Sequence, residues 1–150
     1  VKEAKQAAQQ KEYTFQTLAI ADLFVKHQQD AIAEILVLSF SKNHPDLRAL
    51  QWLKEFYQKR NDLEKALAQA KQILYLSPRF NYYQEVQELG QQLQQWPALR
   101  QEIINHFKWI PDELLLVEIY LDEKALDQAI EAFDQISQLS YYSFKETQYA

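Results

Sequence analysis

Cysteine and methionine are absent from the 150-residue sequence, which contains one glycine and four prolines. Without cysteine, the chain can form neither a disulfide bond nor a thiol nucleophile. With Gly90 as its only glycine, it has no Gly-rich loop of the kind that cradles phosphate. A fold of many tight β-turns would also need more glycine. The composition therefore favours helices.

Long apolar runs are also missing. The longest, residues 31–40, is interrupted by Glu34 and Ser39, so no segment is long enough to cross a bilayer. There is no secretory signal, and we expect a cytoplasmic protein with no membrane partner. Because the chain begins with valine and has no methionine, we expect it to be part of a longer protein.

The residues that are abundant are those of a folded helical protein. Hydrophobic residues make up 47% and charged residues 25% of the chain, which excludes a disordered composition. Alanine, leucine, glutamine, glutamate and lysine dominate, and all of them favour the α-helix. We therefore predict an all-α fold and a single domain spanning residues 1–150.

Residues 46–78 form the unit around which the chain is organised. Two amphipathic stripes recur at helical spacing, first Leu47, Leu50, Leu53, Phe56 and Tyr57, then Leu63, Ala66, Leu67, Ala70, Ile73 and Leu74. Asn61 and Asp62 mark the turn between the two helices, where Asp62 or its neighbour can cap the second helix. Ser77 and Pro78 end it, since proline cannot continue a helix. The pattern predicts a helical hairpin.

The hairpin repeats along the chain. Pro45, Pro78 and Pro111 are each 33 residues apart, and a further copy, aligned on Tyr57 and Tyr120, follows a three-residue deletion. A period of this length is typical of a helical solenoid. We predict repeat units at residues 13–45, 46–78, 79–111 and 112–139, with residues 140–150 as a capping or truncated segment. In the first helix we expect the inward side chains to be Phe15, Leu18, Ala19, Leu23 and Phe24.

The central unit resembles the tetratricopeptide repeat. Leu50, Leu53, Tyr57, Ala66 and Pro78 match the spacing of that family, whereas the third unit departs from it with Gly90 and Leu99 at the tyrosine and alanine positions. The resemblance implies a right-handed α-solenoid of about four hairpins with a period near 33 residues. It also implies a concave face that binds a protein or peptide.

A narrower resemblance covers residues 62–133. The stretches beginning DLEKALAQ, YYQEVQEL and LLLVEIYL are similar to the helical-repeat region of bacterial SWIM zinc-finger proteins. That family carries a cysteine- and histidine-liganded zinc module, and this sequence has no cysteine to form one. The resemblance implies, as an alternative function, a structural or regulatory helical-repeat domain that packs on the rest of its own chain.

Patterns that indicate catalysis or a cofactor are missing. His27, His44 and His106 lie in different units without the spacing of paired metal ligands, and the acidic residues are dispersed. We predict no enzyme activity, no cofactor and no metal. The net charge of −5 opposes nucleic-acid binding, because phosphate contacts need a concentrated basic surface.

The remaining candidate is a polar surface on the first helices of the hairpins. In the tetratricopeptide register, the residues facing the groove are Arg48, Gln51, Glu55, Lys59, Asn81, Gln84, Glu88, Gln92, Glu118 and Asp122. They suit hydrogen bonding to a peptide backbone, although the same positions could simply be the soluble side of amphipathic helices. Of the tryptophans, we expect Trp52 and Trp96 to pack in the core and Trp109 to be exposed.

Overall fold

The computed structural model describes residues 2–110 and 114–136, and for residues 2–4, 7 and 8 it describes the backbone alone. All the regular structure in these ranges is helical, which confirms the all-α prediction. The helices are α1 (Lys2–Lys26), α2 (Asp30–Asn43), α3 (Leu47–Lys59), α4 (Leu63–Leu76), α5 (Phe80–Gln92), α6 (Trp96–Lys108), α7 (Leu115–Asp122) and α8 (residues 126–136).

The helices group into two compact units, Val1–Leu76 and Ser77–Ala150. In the first unit α1 packs on α2, α3 packs on α4, and α3 also contacts both α1 and α2. In the second unit α5 packs on α6, and α7 contacts both. The predicted single domain, its repeat bounds and the handedness of the solenoid stay predictions. The expected cap over residues 140–150 lies outside the described residues.

Four turns of one conformation join the helices in pairs. Gln28, Asn61, Gln94 and Lys124 have left-handed backbones with φ of 59°, 57°, 58° and 59°. They are separated by 33, 33 and then 30 residues, the same steps as the sequence repeat and its three-residue deletion. We number the helix pairs that these turns join hairpins 1 to 4.

Each of these turns is closed by the same hydrogen bonds. In hairpin 2 the Asp62 N–H donates to the Tyr57 carbonyl at 2.9 Å, and the Asn61 N–H donates to the Gln58 carbonyl at 3.0 Å. The equivalent long bond runs from Gln29 to Phe24, from Gln95 to Gly90 and from Ala125 to Tyr120, at 2.8 Å in each case. This is the Schellman arrangement, which satisfies the orphan carbonyls at a helix C-terminus.

Local sequence signals explain where several helices begin and end. Asp62 accepts a long hydrogen bond of 3.4 Å from the Lys65 N–H, so it caps the start of α4 as expected. The helix ends at Leu76, just before Ser77 and Pro78. Pro97 lies in the first turn of α6, where its missing N–H costs nothing. In the hairpin α3–α4 the buried residues lie on one face of each helix.

Asp46 caps α3 and ties it to α1. Its carboxylate accepts a hydrogen bond from the Arg48 backbone N–H at 2.8 Å and pairs with the Arg48 guanidinium at 3.0 Å. The Thr14 hydroxyl donates to the same carboxylate at 2.9 Å and is itself fully buried. Burial acts to raise the pKa of Asp46, but the hydrogen bonds from the Arg48 side chain, the Arg48 backbone and Thr14 outweigh burial and lower it.

The predicted inward face of α1 is wrong. Phe15 is 73% exposed, and Leu23 and Ala19 are also exposed, while Leu18 and Phe24 are half-buried. The buried positions are Thr14 and Ala21. A buried threonine is tolerated here because its one hydroxyl proton has two acceptors within reach, the Asp46 carboxylate at 2.9 Å and the Gln10 carbonyl at 3.0 Å. Apolar residues lie on more than one side of α1, so periodicity alone did not identify the packed side.

No described helix combines the length and the apolar character that a membrane span requires.

Candidate partner-binding site

A cleft of about 260 Å³ opens between α1 and α3, the first helices of hairpins 1 and 2. We call it the α1–α3 cleft. It lies wholly within the first compact unit. Its lining consists of Asp22, Val25, Trp52, Glu55, Phe56, Lys59 and Arg60.

Aromatic rings and a guanidinium group form the centre of the α1–α3 cleft. The rings of Trp52 and Phe56 stack with centroids 5.0 Å apart, and the Arg60 guanidinium lies 3.6 Å from the Phe56 centroid. Such a cation–π contact contributes about 0.5–1 kcal/mol at an exposed site. The arrangement fixes an apolar surface beside a delocalised positive charge.

Hydrogen bonds hold these groups in place. The Trp52 indole N–H donates to the Asp22 carboxylate at 2.8 Å, which links α3 to α1 across the cleft. The Arg60 guanidinium pairs with Asp30 of α2 and donates to the Phe56 carbonyl at 3.0 Å. No side-chain cap bond forms at the start of α2, and the carboxylate of Asp30, the first residue of that helix, binds Arg60. The cleft is therefore positioned by three helices.

Four of the predicted partner-binding residues belong to the first compact unit, all of them on α3, and two of the four line this cleft. Glu55 and Lys59 are exposed and one turn apart on α3, so the rim carries one charge of each sign from this helix. Gln51 is half-buried and does not line the cleft. Arg48 is also half-buried, and its guanidinium is bound to Asp46.

The second compact unit has an open cleft of its own between α5 and α7, of about 480 Å³. It brings together Asn81 and Glu118 from the predicted set. The other predicted residues of this unit are exposed but do not line the cleft; they are Gln84, Glu88, Gln92 and Asp122. Each cleft lies within one compact unit, between the first helices of two hairpins.

The exposure predicted for Trp109 is confirmed, whereas Trp52 and Trp96 are half-buried and do not belong to the buried core that was predicted for them. Trp109 is 87% exposed, as expected for a residue in a connector. Trp52 and Trp96 are half-buried, and the Trp96 ring packs edge-on against Tyr83 with centroids 5.5 Å apart. Trp109 also lines a cleft of about 400 Å³ beside α7 and α8, together with Leu116, Tyr120 and Glu131 among others.

The described ranges contain no cluster of side chains that could bind a metal ion. No three side chains of histidine, aspartate or glutamate converge there on one point. His27 and His44 are exposed, and the His44 ring lies 5.5 Å from that of Phe40. The predictions of no metal, no cofactor and no catalysis stay predictions.

Sequence reasoning missed the residues that complete the α1–α3 cleft. Asp22 and Arg60 were not singled out. Phe56 is 6% exposed, which confirms its assignment to the core stripe, and the sequence did not indicate that it also lines the cleft. Asp22 precedes Glu55 by 33 residues, so the repeat places both at one point of their helices. The equivalence of the two positions in the repeat could therefore have identified Asp22 from the sequence. The pairing of Arg60 with Asp30 depends on packing between helices and had no such signal.

Comparison with protein-family models and with curated proteins found no match for this chain. The resemblances to the tetratricopeptide repeat and to the helical region of SWIM zinc-finger proteins therefore stay predictions. The repeated turns are compatible with a helical repeat of some kind.

Proposed function

We propose that this chain is a non-catalytic protein-interaction scaffold that binds a segment of a protein or peptide partner along the first helices of its hairpins. The tetratricopeptide-like, right-handed solenoid predicted above is part of this proposal. The single observation that supports it best is the α1–α3 cleft, with its Trp52–Phe56 stack and its charged rim. Aromatic residues in partly desolvated clefts are frequent hot spots of protein interfaces.

The cleft chemistry fits a short peptide segment. The half-buried Trp52, supported from behind by the buried Phe56 ring, offers an apolar surface for one bulky side chain, and Arg60 nearby adds a contact with an aromatic or acidic group. Glu55 and Lys59 on the rim would orient the segment through charges of opposite sign. Because Asp22 already holds the Trp52 indole and Asp30 already holds the Arg60 guanidinium, binding would need little rearrangement.

The proposal can be tested with displayed random dodecapeptides selected on the whole chain. Binding of an enriched peptide is then measured by fluorescence anisotropy on the wild type and on a charge-exchange variant, Glu55→Lys with Lys59→Glu. The exchange keeps the net charge but reverses the rim, and we expect affinity to fall by about tenfold or more. The indole N–H resonance of Trp52 should shift on binding to the wild type.

The matched control exchanges the same two charges on α6, in the variant Glu102→Lys with Lys108→Glu. We expect it to leave affinity within about twofold of the wild type, since neither residue lines the α1–α3 cleft. Failure to enrich any peptide, or equal binding by both variants and the wild type, would contradict the proposal.

A further inference from the structure

Helix α1 carries an exposed stripe with the spacing of a coiled-coil seam. Tyr13, Ile20 and Leu23 are 63%, 48% and 56% exposed, and the exposed Gln16 lies between them in the stripe. These four residues follow one another at steps of three, four and three, so they share one face of the helix. Scattered apolar side chains are ordinary on a surface, but a set aligned at heptad spacing indicates a face on which another helix packs. We call these four residues the α1 stripe.

The internal repeat buries the equivalents of two stripe residues in other hairpins. The left-handed turn residues fix the register between hairpins. In that register Ile20 and Leu23 correspond to two residues of α3 and two of α7, which are Leu53 with Phe56 and Leu116 with Ile119. None of these four counterparts is more than 8% exposed. The first hairpin therefore exposes apolar side chains at positions that hairpins 2 and 4 bury.

A preceding pair of helices packs on the helix that carries each of these counterparts. Within the first compact unit, α3 contacts α1 and α2 as well as its own partner α4. Within the second unit, α7 contacts α5 and α6. Helix α1 contacts α2 and α3, and these two helices leave the α1 stripe exposed. The stripe therefore lies where the repeat places a further helix.

Two charged residues make the α1 stripe complementary to itself. Glu12 and Lys26 are exposed and lie 14 residues apart, which places them on the same edge of the stripe, two heptads from each other. When two such helices lie side by side in opposite directions, Glu12 of each meets Lys26 of the other, so an ion pair forms at both ends. A cleft of about 200 Å³ on this side of α1 gives room for a side chain of the second helix; it is lined by Gln9, Glu12, Tyr13 and Gln16. The occupant that fits this face is a second copy of this chain.

We propose that the α1 stripe is a dimer interface, in which two copies of this chain pair their α1 helices antiparallel about a twofold axis. Tyr13 packs against the partner's Leu23, and Gln16 packs against the partner's Ile20. Because the same face is used by both copies, the contact closes on itself and assembly stops at the dimer. The proposal is independent of peptide binding, since the α1 residues of the α1–α3 cleft lie outside the stripe.

Sedimentation equilibrium on the whole chain tests the dimer. The wild-type mass should rise from 17.8 kDa towards twice that value as the concentration increases from about 1 to 100 µM. Ile20→Asp combined with Leu23→Asp should remain monomeric, since it places two carboxylates from each copy in the seam. The control is Phe15→Asp, at an exposed aromatic residue of α1 outside the stripe, and it should dimerise as the wild type does.

The charged pair gives a second test that leaves the apolar residues intact. Glu12→Lys and Lys26→Glu should each raise the dimer dissociation constant by about fivefold or more, because like charges then meet at both ends. Combining the two substitutions restores opposite charges, so the constant should return to within about twofold of the wild type. Charge variants that all dimerise alike, or a combined variant without recovery, would overturn the antiparallel pairing.

Crosslinking reports the direction of the two helices, because the chain has no cysteine of its own. An equimolar mixture of Gln16→Cys and Ile20→Cys chains should oxidise mainly to the mixed disulfide, since the two positions lie opposite each other in the antiparallel pair. Disulfides mainly between identical chains would contradict this arrangement. A wild type that stays monomeric over the whole concentration range, or a Phe15→Asp variant that dissociates as fully as the seam variant, would refute the dimer itself.

Discussion

Gly90 of α5 and Leu99 of α6 face each other inside hairpin 3. The small residue lies on the first helix and the large one on the second, which is the reverse of the arrangement in the other hairpins. A Cβ atom placed on Gly90 would lie 2.8 Å from Leu99 Cδ2 and 3.2 Å from Trp96 Cε3. The equivalent positions in the other hairpins pair a large ring with a buried alanine: Phe24 with Ala33, Tyr57 with Ala66, and Tyr120 with Ala129. Hairpin 3 therefore fills the same space from the opposite helix.

The exchange of sizes predicts strong coupling between the two positions. Gly90→Tyr alone should overpack the hairpin and cost about 1–3 kcal/mol or more, and Leu99→Ala alone should leave a cavity and cost about 2–5 kcal/mol. Gly90→Tyr combined with Leu99→Ala recreates the pair found in hairpin 2, so we expect the double variant to be more stable than the sum of the single losses by at least about 1 kcal/mol. Urea unfolding measures all three, and additive losses would refute the compensation.

The four left-handed turn residues predict stabilising glycine substitutions. None of Gln28, Asn61, Gln94 and Lys124 is glycine, although side chains other than glycine are strained at positive φ. Gln94→Gly and Lys124→Gly should each raise the free energy of unfolding by about 0.5–1 kcal/mol, and Asn61→Gly by less, because asparagine tolerates this conformation.

The control for these turns is Gln84→Gly, at an exposed position within α5. It should lower stability by about 1 kcal/mol, since glycine is unfavourable inside a helix. A loss of similar size in Gln94→Gly would contradict the assignment of strain to the turn. Chemical denaturation with urea gives both values.

The cap at Asp46 predicts a defined pH dependence. The folded pKa of Asp46 lies below the ordinary value of 3.8, so its charge stabilises the fold above that pH and the stabilisation is lost as pH falls through the folded pKa. Asp46→Asn keeps a capping oxygen but loses the charge, and should cost about 1–2 kcal/mol near neutral pH. The deficit relative to the wild type should shrink towards zero at about pH 2. A deficit that is constant across this range would exclude the charge as its source.

Two buried tyrosines predict opposite effects from the same substitution. The Tyr57 hydroxyl donates to the Glu34 carboxylate at 2.8 Å, so Tyr57→Phe should cost about 1–3 kcal/mol. The Tyr83 hydroxyl is buried near Glu123 without reaching hydrogen-bond geometry with any described group. Tyr83→Phe removes an unsatisfied group and should be neutral or stabilising. Thermal unfolding of the two variants compares them directly, and equal losses would show that Tyr83 has a partner.

The sequence predicted the features that depend on neighbouring residues. Helical periodicity identified the hairpin α3–α4, and the spacing of the prolines anticipated the 33-residue step between the turns at Gln28, Asn61 and Gln94. These features follow from local backbone chemistry, such as the ending of α4 before Pro78.

Features that depend on packing between helices could not be predicted in the same way. Phe15 has the character of a core residue and is exposed, whereas Thr14 beside it is buried and donates a hydrogen bond to Asp46, 32 residues away. Gly90 and Leu99 stood out as departures from the repeat, but their mutual compensation became visible only in three dimensions. For the site, Glu55 and Lys59 were predicted, whereas the contribution of Arg60 depends on Asp30 of another hairpin.

The repeated turns also have a consequence for how the chain folds. Each one reverses the backbone within a few residues, and the helices joined by the first three, α1 with α2, α3 with α4 and α5 with α6, pack on each other. Contacts between near neighbours in sequence require little loop closure, and domains built from them fold on a timescale of roughly microseconds to milliseconds. A ribosome-bound nascent chain could therefore complete hairpin 1 before the apolar face of α3 emerges, which limits the time in which unpaired helices can aggregate.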